Sequence, residues 1–311
     1  MTLPEGPEVK RCSEVLSDVI SGKSLTSIKL ISGKISRGVN DLEKLQLPAK
    51  VLSVFTKGKV IFIRLAGDYS IISTLGMSGW WYPPLETINP LLMSQAYYSK
   101  VIDTINKAEQ HTRLSLNMDD GTQVNYIDPR NFGNFFVVTQ DEFQARVNLL
   151  GVDLLNNVSY IGLPNGIDWF STCLSKKKYS KKPIAEVLLD QSLIAGIGNI
   201  YRSESLYLAG IDPNREAGSL SQDQCLKLIK AVDMVLELAY QGRGRMVYPI
   251  NDVIDFLTIE MAQKLRGSMP GNTTAVNGHL VYGHAEDVMG NEVLRSPIGS
   301  RTAWWVPAVQ T

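Results

Sequence analysis

Apolar residues recur at helical spacing near the start of the chain, at Val9, Cys12, Val15, Leu16, Val19 and Ile20, and Gly22 follows as a stop. The pattern predicts an amphipathic helix opening at Pro7. Beyond it the period shortens. Alternating or apolar runs at 25–31, 50–55, 59–65, 69–75, 112–116, 123–127 and 134–138, separated by Gly, Asp and Asn turns, predict a β-sandwich or barrel-like domain ending near Thr139. Helical spacing returns at 168–174, 183–189, 200–208 and 221–240, with 251–265 a further candidate. The tail has strand character at both ends, 279–284 and 299–310, around Gly290-Asn291, and predicts a two-stranded hairpin docked on the helices, because such a hairpin is marginal alone. The class is therefore α+β and multidomain. We expect an N-terminal helix and β-sandwich over 1–147, a linker at 148–160, a helical domain over 161–277 and the hairpin over 278–311.

Composition narrows the setting. The chain has 311 residues, 44% hydrophobic and 20% charged, and its 31 Lys and Arg balance 31 Asp and Glu, so any basic footprint must be local. Three cysteines, Cys12, Cys173 and Cys225, lie far apart without metal-ligand spacing. Neither a disulfide framework nor a metal site is expected, and a reducing compartment is the default. No apolar run approaches the length of a membrane span, so an intracellular protein without membrane association is expected.

Several stretches carry unusual chemistry. Pro4-Glu5-Gly6-Pro7-Glu8 sets two prolines, each followed directly by a glutamate, at a helix start, where Pro7 and the acids also suit the helix end itself. Thr56-Lys57-Gly58-Lys59 holds two lysines at a glycine turn, equally readable as a solvated hairpin. Gly76-Met77-Ser78-Gly79 presents a methionine from a tight turn, with core packing as the alternative. Asp128-Pro129-Arg130-Asn131-Phe132-Gly133 places a cation and a ring two residues apart, which alternation sends to one face; a surface ion pair is the plainer reading. Five lysines in the seven positions 176–182 suggest an anion site in a neutral protein. Gly196 and Gly198, just before a helix that begins near Asn199, allow backbone N–H groups to approach a phosphate.

The string Gly-Ile-Gly-Asn-Ile-Tyr-Arg-Ser-Glu-Ser-Leu at 196–206 resembles the helix-two-turn-helix of the formamidopyrimidine-DNA glycosylase and endonuclease VIII family, and the other motifs stand in that family's order. The tail resembles its zincless-finger branch: Val306 and Val309 stand where a second cysteine pair would be, so Trp304, Trp305, Val306 and Val309 are expected to supply an apolar core instead of metal. The resemblance implies Pro4 as amine nucleophile, Glu5 as proton donor, Glu8 as supporting acid and Lys59 as a phosphate-binding lysine. It further implies Met77, Arg130 and Phe132 as the set that fills the void behind an extruded base, and Asn199 and Arg301 as phosphate contacts. The implied activity is removal of an oxidised base, then β,δ-elimination at the abasic site through a Schiff base, with no cofactor and no metal. The implied partner is damaged DNA, duplex or single-stranded, bound by a monomer. Oxidised pyrimidines and ring-opened purines are favoured over intact 8-oxoguanine.

One departure bears on the chemistry. A free α-amine titrates about two and a half units below lysine, which suits it as a nucleophile at neutral pH. Here Thr2 and Leu3 separate Met1 from Pro4, and an internal proline nitrogen is an amide whose lone pair is delocalised. Three alternatives stand: the mature chain starts at Pro4, Thr2 or Lys59 supplies the amine, or lyase chemistry is lost and the protein binds damaged or abasic sites without cutting them.

Overall fold

The computed structural model describes residues 4–31, 39–83, 109–156, 167–242, 247–249 and 275–311. Met1, Thr2 and Leu3 and the helix expected at 251–265 lie outside these. The chain divides into two compact units, Met1–Leu149 and Leu150–Thr311.

The first unit opens on α1 (Gly6–Ile20). Pro7 lies in its first turn, and the Glu5 amide donates to Glu8 Oε2 at 3.0 Å, closing a capping box. Val9, Cys12, Leu16, Val19 and Ile20 are buried, as their spacing requires. Gly22 turns the chain away at φ 83°, a left-handed conformation that glycine adopts without strain.

Eight antiparallel strands follow: β1 (Ser24–Leu30), β2 (Ala49–Lys57), β3 (Val60–Leu65), β4 (Tyr69–Thr74), β5 (Trp80–Tyr82), β6 (Thr112–Met118), β7 (Gln123–Ile127) and β8 (Asn134–Thr139). Their order is β5-β7-β6-β1-β2-β3-β4-β8. Only two register positions, Ser24↔Lys50 and Leu25↔Ala49, join the β1 half to the β2 half. The halves fold onto each other. Trp81 on β5 and Phe135 on β8, at opposite ends of the strand order, bring their rings to 6.3 Å, and Trp81 Nε1 donates to Ser73 on β4 at 3.2 Å. Leu114, Leu116, Val124 and Tyr126 from one half, and Val51, Ile61, Ile63 and Ile71 from the other, share one core with α1. The β-sandwich is present. After β8 the chain forms α2 (Gln140–Leu149), which the pattern does not predict; Phe143 is its one buried residue, too little to show a stripe.

The second unit contains α3 (Ile167–Ser175), α4 (Ile184–Val187), α5 (Asn199–Ala209) and α6 (Gln222–Gln241), the short strands β9 (Val247–Pro249) and β10 (Ala275–Asn277), which pair, and the pair β11 (Leu294–Ile298) and β12 (Arg301–Trp305). Ser221 and Gln224 cap α6 reciprocally. Every residue of α5 from Ile200 to Ala209 is buried, so its polar side chains need partners inside the unit. No helix among the described residues is long and apolar enough to cross a membrane.

The hairpin differs from the expected one. Its ladder is 294–298 with 301–305, turning at Gly299-Ser300, and 279–284 is not a strand. The reason is Glu204 on α5, whose buried carboxylate accepts the amides of Leu280, Val281 and Tyr282 at 2.6, 3.0 and 2.9 Å, groups a ladder would otherwise need. Gly290-Asn291 instead belongs to a turn closed by Asp287, which also accepts from Tyr207 Oη at 3.0 Å.

Candidate functional site

In the first unit, Pro4 is buried and Glu5 stands in extended backbone just ahead of α1. Glu5 and Glu8 are 3% and 8% exposed, so two carboxylates are enclosed at the positive end of one helix. Glu8 holds the Glu5 backbone in place. Lys59 occupies the β2–β3 turn with Gly58 at φ 59° and is half-buried. Its neighbour Lys57 is committed elsewhere, donating to the Val147 carbonyl near the end of α2 at 3.0 Å. Helix α1 connects to the next loop through Cys12, whose Sγ accepts the Trp81 amide at 3.4 Å. Burial pushes the Cys12 thiol up to about 12, against that hydrogen bond.

The loops bearing Met77 and bearing Arg130 and Phe132 meet around Asp128, which is fully buried. Its Oδ1 accepts from the Ser78 hydroxyl at 2.6 Å and the Arg130 amide at 3.2 Å, and its Oδ2 from the Gly133 amide at 2.8 Å. Arg113 Nε donates to the Asp128 carbonyl at 2.8 Å. Gly76 lies so near the second loop that a Cβ there would stand 2.5 Å from the Phe132 carbonyl carbon. Met77 is half-buried, whereas Arg130 and Phe132 are exposed, with the guanidinium 5.2 Å from the ring centre. Strand alternation is not what pairs them: Asn131 at φ 55° makes this a turn. All three side chains are thus presented from two loops fastened together.

In the second unit, Gly198 precedes α5 and Asn199 is its first residue. The turn before it is knitted by Gln191, which donates to the Leu189 and Ile197 carbonyls at 3.0 and 2.9 Å and accepts from the Gly196 amide at 2.9 Å. Arg202, fully buried, donates to Asn199 Oδ1, to the Ala185 carbonyl at 3.1 Å and to the Thr302 carbonyl at 3.1 Å. One guanidinium therefore fixes the Asn199 side chain and the strand on which Arg301 stands exposed. Asp128, Gln191, Arg202 and Glu204 are organisers that the sequence pattern does not nominate; the one available signal is a pair of charges, at 202 and at 204, inside a helix that is buried from Ile200 to Ala209.

The lysine run is less available to anions than its density suggests. Lys178 pairs with Asp190 at 2.8 Å, Lys181 with Glu216 at 3.0 Å and Lys182 with Glu186 at 2.8 Å. The hydrogen bond to Asp190 pushes the Lys178 ammonium up to about 12.

Zinc does not fit the hairpin. All three cysteines are buried outside it, and among the described residues no three His, Cys, Asp or Glu side chains gather where a metal could sit. Nor do the four apolar residues expected to form its core do so equally: Val306 is fully buried, but Trp304, Trp305 and Val309 are half-buried, whereas Leu280, Val281, Val293, Ile298 and Ala303 are buried.

Comparison with known proteins follows this division. Residues 3–135 match the Formamidopyrimidine-DNA glycosylase N-terminal domain and 166–248 the Formamidopyrimidine-DNA glycosylase H2TH domain. A formamidopyrimidine-DNA glycosylase of Cronobacter sakazakii is 30% identical over 242 residues, covering 78% of this chain and 80% of that protein. One of Pelotomaculum thermopropionicum is 26% identical and covers 99% of both. The fold is that of the Lactococcus lactis formamidopyrimidine-DNA glycosylase solved non-covalently bound to DNA containing an AP site, with a TM-score of 0.70 at 21% identity over 99% of this chain and 100% of that one. Matched in both units, and at 30% identity over most of its length, the chain belongs to the formamidopyrimidine-DNA glycosylase family.

Proposed function

We propose that this chain is a base-excision DNA glycosylase that binds damaged DNA as a monomer, extrudes an oxidised base and breaks its bond to the sugar. The observation that carries the reading is the Asp128 carboxylate, which fastens the Met77 loop to the Arg130 and Phe132 loop. Extruding a base leaves a void that apolar and planar groups must fill, and these three side chains on one rigid support suit that task. Asn199, held by Arg202, and Arg301, beside the Thr302 that Arg202 holds, supply phosphate contacts, and Lys59 a further one. Relatives named formamidopyrimidine-DNA glycosylase and a structural neighbour bound to AP-site DNA support the same reading.

The chemistry centres on Pro4 and Glu5. In a chain beginning at Pro4 the nitrogen is a secondary amine; it attacks the sugar C1′ as the base departs with a proton, while Glu5 protonates the ring oxygen as the sugar opens to an iminium. Loss of the 3′ and then the 5′ phosphate completes β,δ-elimination, and water releases the amine. Glu8 positions Glu5 by holding its backbone. The cysteine-free hairpin supports the zincless branch, and the proposed steps are carried by side chains alone.

The test is a duplex carrying a ring-opened purine or an oxidised pyrimidine, with released base and strand breaks measured separately. Absence of both products with a chain starting at Pro4 would sink the glycosylase assignment; base release without breaks would remove only the lyase step.

A further inference from the structure

The hairpin carries a row of side chains that the proposed reaction does not use. Arg295 on β11 and Trp304 on β12 face each other in register, with the guanidinium 4.7 Å from the indole centre. The indole lies 5.6 Å from the Tyr282 ring, which lies 5.8 Å from His279. Ala303 is buried, so alternation along β12 turns Trp304 to the opposite face; it stays half-exposed beside an exposed Arg295. Trp305 donates its indole N–H to Ser296 at 2.9 Å, whereas that of Trp304 meets no described residue. A cross-strand cation–π pair alone would contribute hairpin stability, but it needs neither Tyr282 nor His279 beside it.

Aromatic faces in series, flanked by a guanidinium, are what sequence-tolerant binding of unpaired nucleotides requires. Every base has a face that stacks, and a guanidinium beside an indole has N–H groups to offer a phosphate. The row adjoins a phosphate contact already assigned: the Trp304 amide donates to Ser203 Oγ at 3.4 Å, one helical turn from Asn199.

We propose that the Arg295–Trp304–Tyr282–His279 row is a single-stranded DNA site, in which unpaired bases stack on Trp304 and Tyr282 while Arg295 meets the backbone. The proposal rests on the DNA-binding reading above and adds to it a contact that needs no lesion. It is tested with the full chain and fluorescent decathymidylate, which has neither lesion nor partner strand. Trp304→Ala, Tyr282→Leu and Arg295→Ala are each expected to weaken binding about 10-fold, and Trp304→Phe to restore most of it. Thermal melting reports whether the hairpin stays seated; should Trp304→Ala unseat it, Tyr282→Leu and Arg295→Ala, which keep the indole, must show the loss themselves. Folded variants that bind decathymidylate like the parent overturn the proposal, as does preference for an acidic peptide over the oligonucleotide. A parent chain that cuts lesion duplex but ignores decathymidylate defeats this site alone. One that binds decathymidylate through the row but neither excises a base nor cuts defeats the glycosylase reading alone.

Discussion

Ser78 donates its hydroxyl to Asp128 Oδ1 at 2.6 Å, across 50 positions of sequence, and that bond ties the loop of Met77 to the loop of Arg130 and Phe132. A buried carboxylate is costly unless its lone pairs are used, and here the two amides of Arg130 and Gly133 complete the set. Asp128→Ala would strand the Ser78 hydroxyl and the Gly133 amide, while the Arg130 amide keeps Ser78 Oγ at 3.2 Å. With about 1–3 kcal/mol for each unsatisfied buried group, partly relieved by water, we expect a loss of about 3 kcal/mol in urea unfolding. Base release from a lesion duplex should slow at least about 10-fold, because misplacing void-filling groups by about an ångström has effects of that size or larger. Asp128→Asn keeps one acceptor and should fall between.

The elements legible in the sequence are those whose burial has a period. Helix α1 and strands β2 to β4 sit on one core, and their apolar positions fall where that geometry demands. Helix α2 was illegible because it buries Phe143 alone. The hairpin was misplaced because Glu204 captures amides some 76 positions away, an interaction with no local trace. The same holds at the site. Met77 and Asn199 are readable as motif residues, but the groups that hold them, Asp128 and Arg202, act through contacts with Ser78 and with Thr302, the latter 100 positions distant.

Arg202 is predicted to act as a positioning residue for phosphate binding. Arg202→Met approximates its volume while leaving Asn199 Oδ1 and the Ala185 and Thr302 carbonyls without this donor. Stability should drop by about 3 kcal/mol. The discriminating measurement is the dependence of DNA affinity on salt: if release of the Thr302 carbonyl displaces the neighbouring Arg301 from its phosphate, the log–log slope becomes shallower by about 1, whereas Asn199→Ala, which removes no charge, should weaken binding at the parental slope. A destabilised variant with the parental slope would leave Arg202 a structural residue only.

Glu204 organises the segment at 280–282 by accepting three successive amides. Its charge-assisted bonds to three successive amides contribute about 1.5–3 kcal/mol each at most, and Glu204→Gln retains one carbonyl oxygen in their place. We expect faster hydrogen exchange at Leu280, Val281 and Tyr282 and a lower melting temperature. Chelators should leave the parental melting curve and DNA binding unchanged. A chelator-induced drop would show that metal does hold this hairpin.

Cys12 makes stability depend on alkaline pH. An unfolded thiol ionises near about 8.5, whereas burial pushes the folded one up to about 12. Below the lower value both states keep the proton and pH has no effect through this group. Above it the unfolded chain loses its proton first, so stability falls by up to about 1.4 kcal/mol per pH unit until the folded thiol also ionises. Urea midpoints measured from pH 7 to 10 should therefore diverge: the parent weakens above about 8.5 relative to Cys12→Ala, which carries only a constant cavity penalty. Parallel curves would mean that the thiol is not protected by α1 and Trp81.

The proline nitrogen decides the lyase chemistry. Pro4 is enclosed next to Glu5 at the head of α1, but only as a first residue does it carry a nucleophilic lone pair. Two versions of the chain, one starting at Pro4 and one retaining Met1-Thr2-Leu3, should therefore behave differently on abasic duplex with borohydride. The shorter is expected to form a stable covalent adduct whose mass places the sugar on Pro4, and Pro4→Gly at its terminus should still trap, since glycine also offers an amine. The longer should bind the duplex with similar affinity, because the Asp128-fastened loops and the Arg202-held contacts are the same in both. An adduct on the longer chain at Thr2 or Lys59 would move the nucleophile. Tight binding by both with no adduct on either would make the protein a damage-binding member of its family.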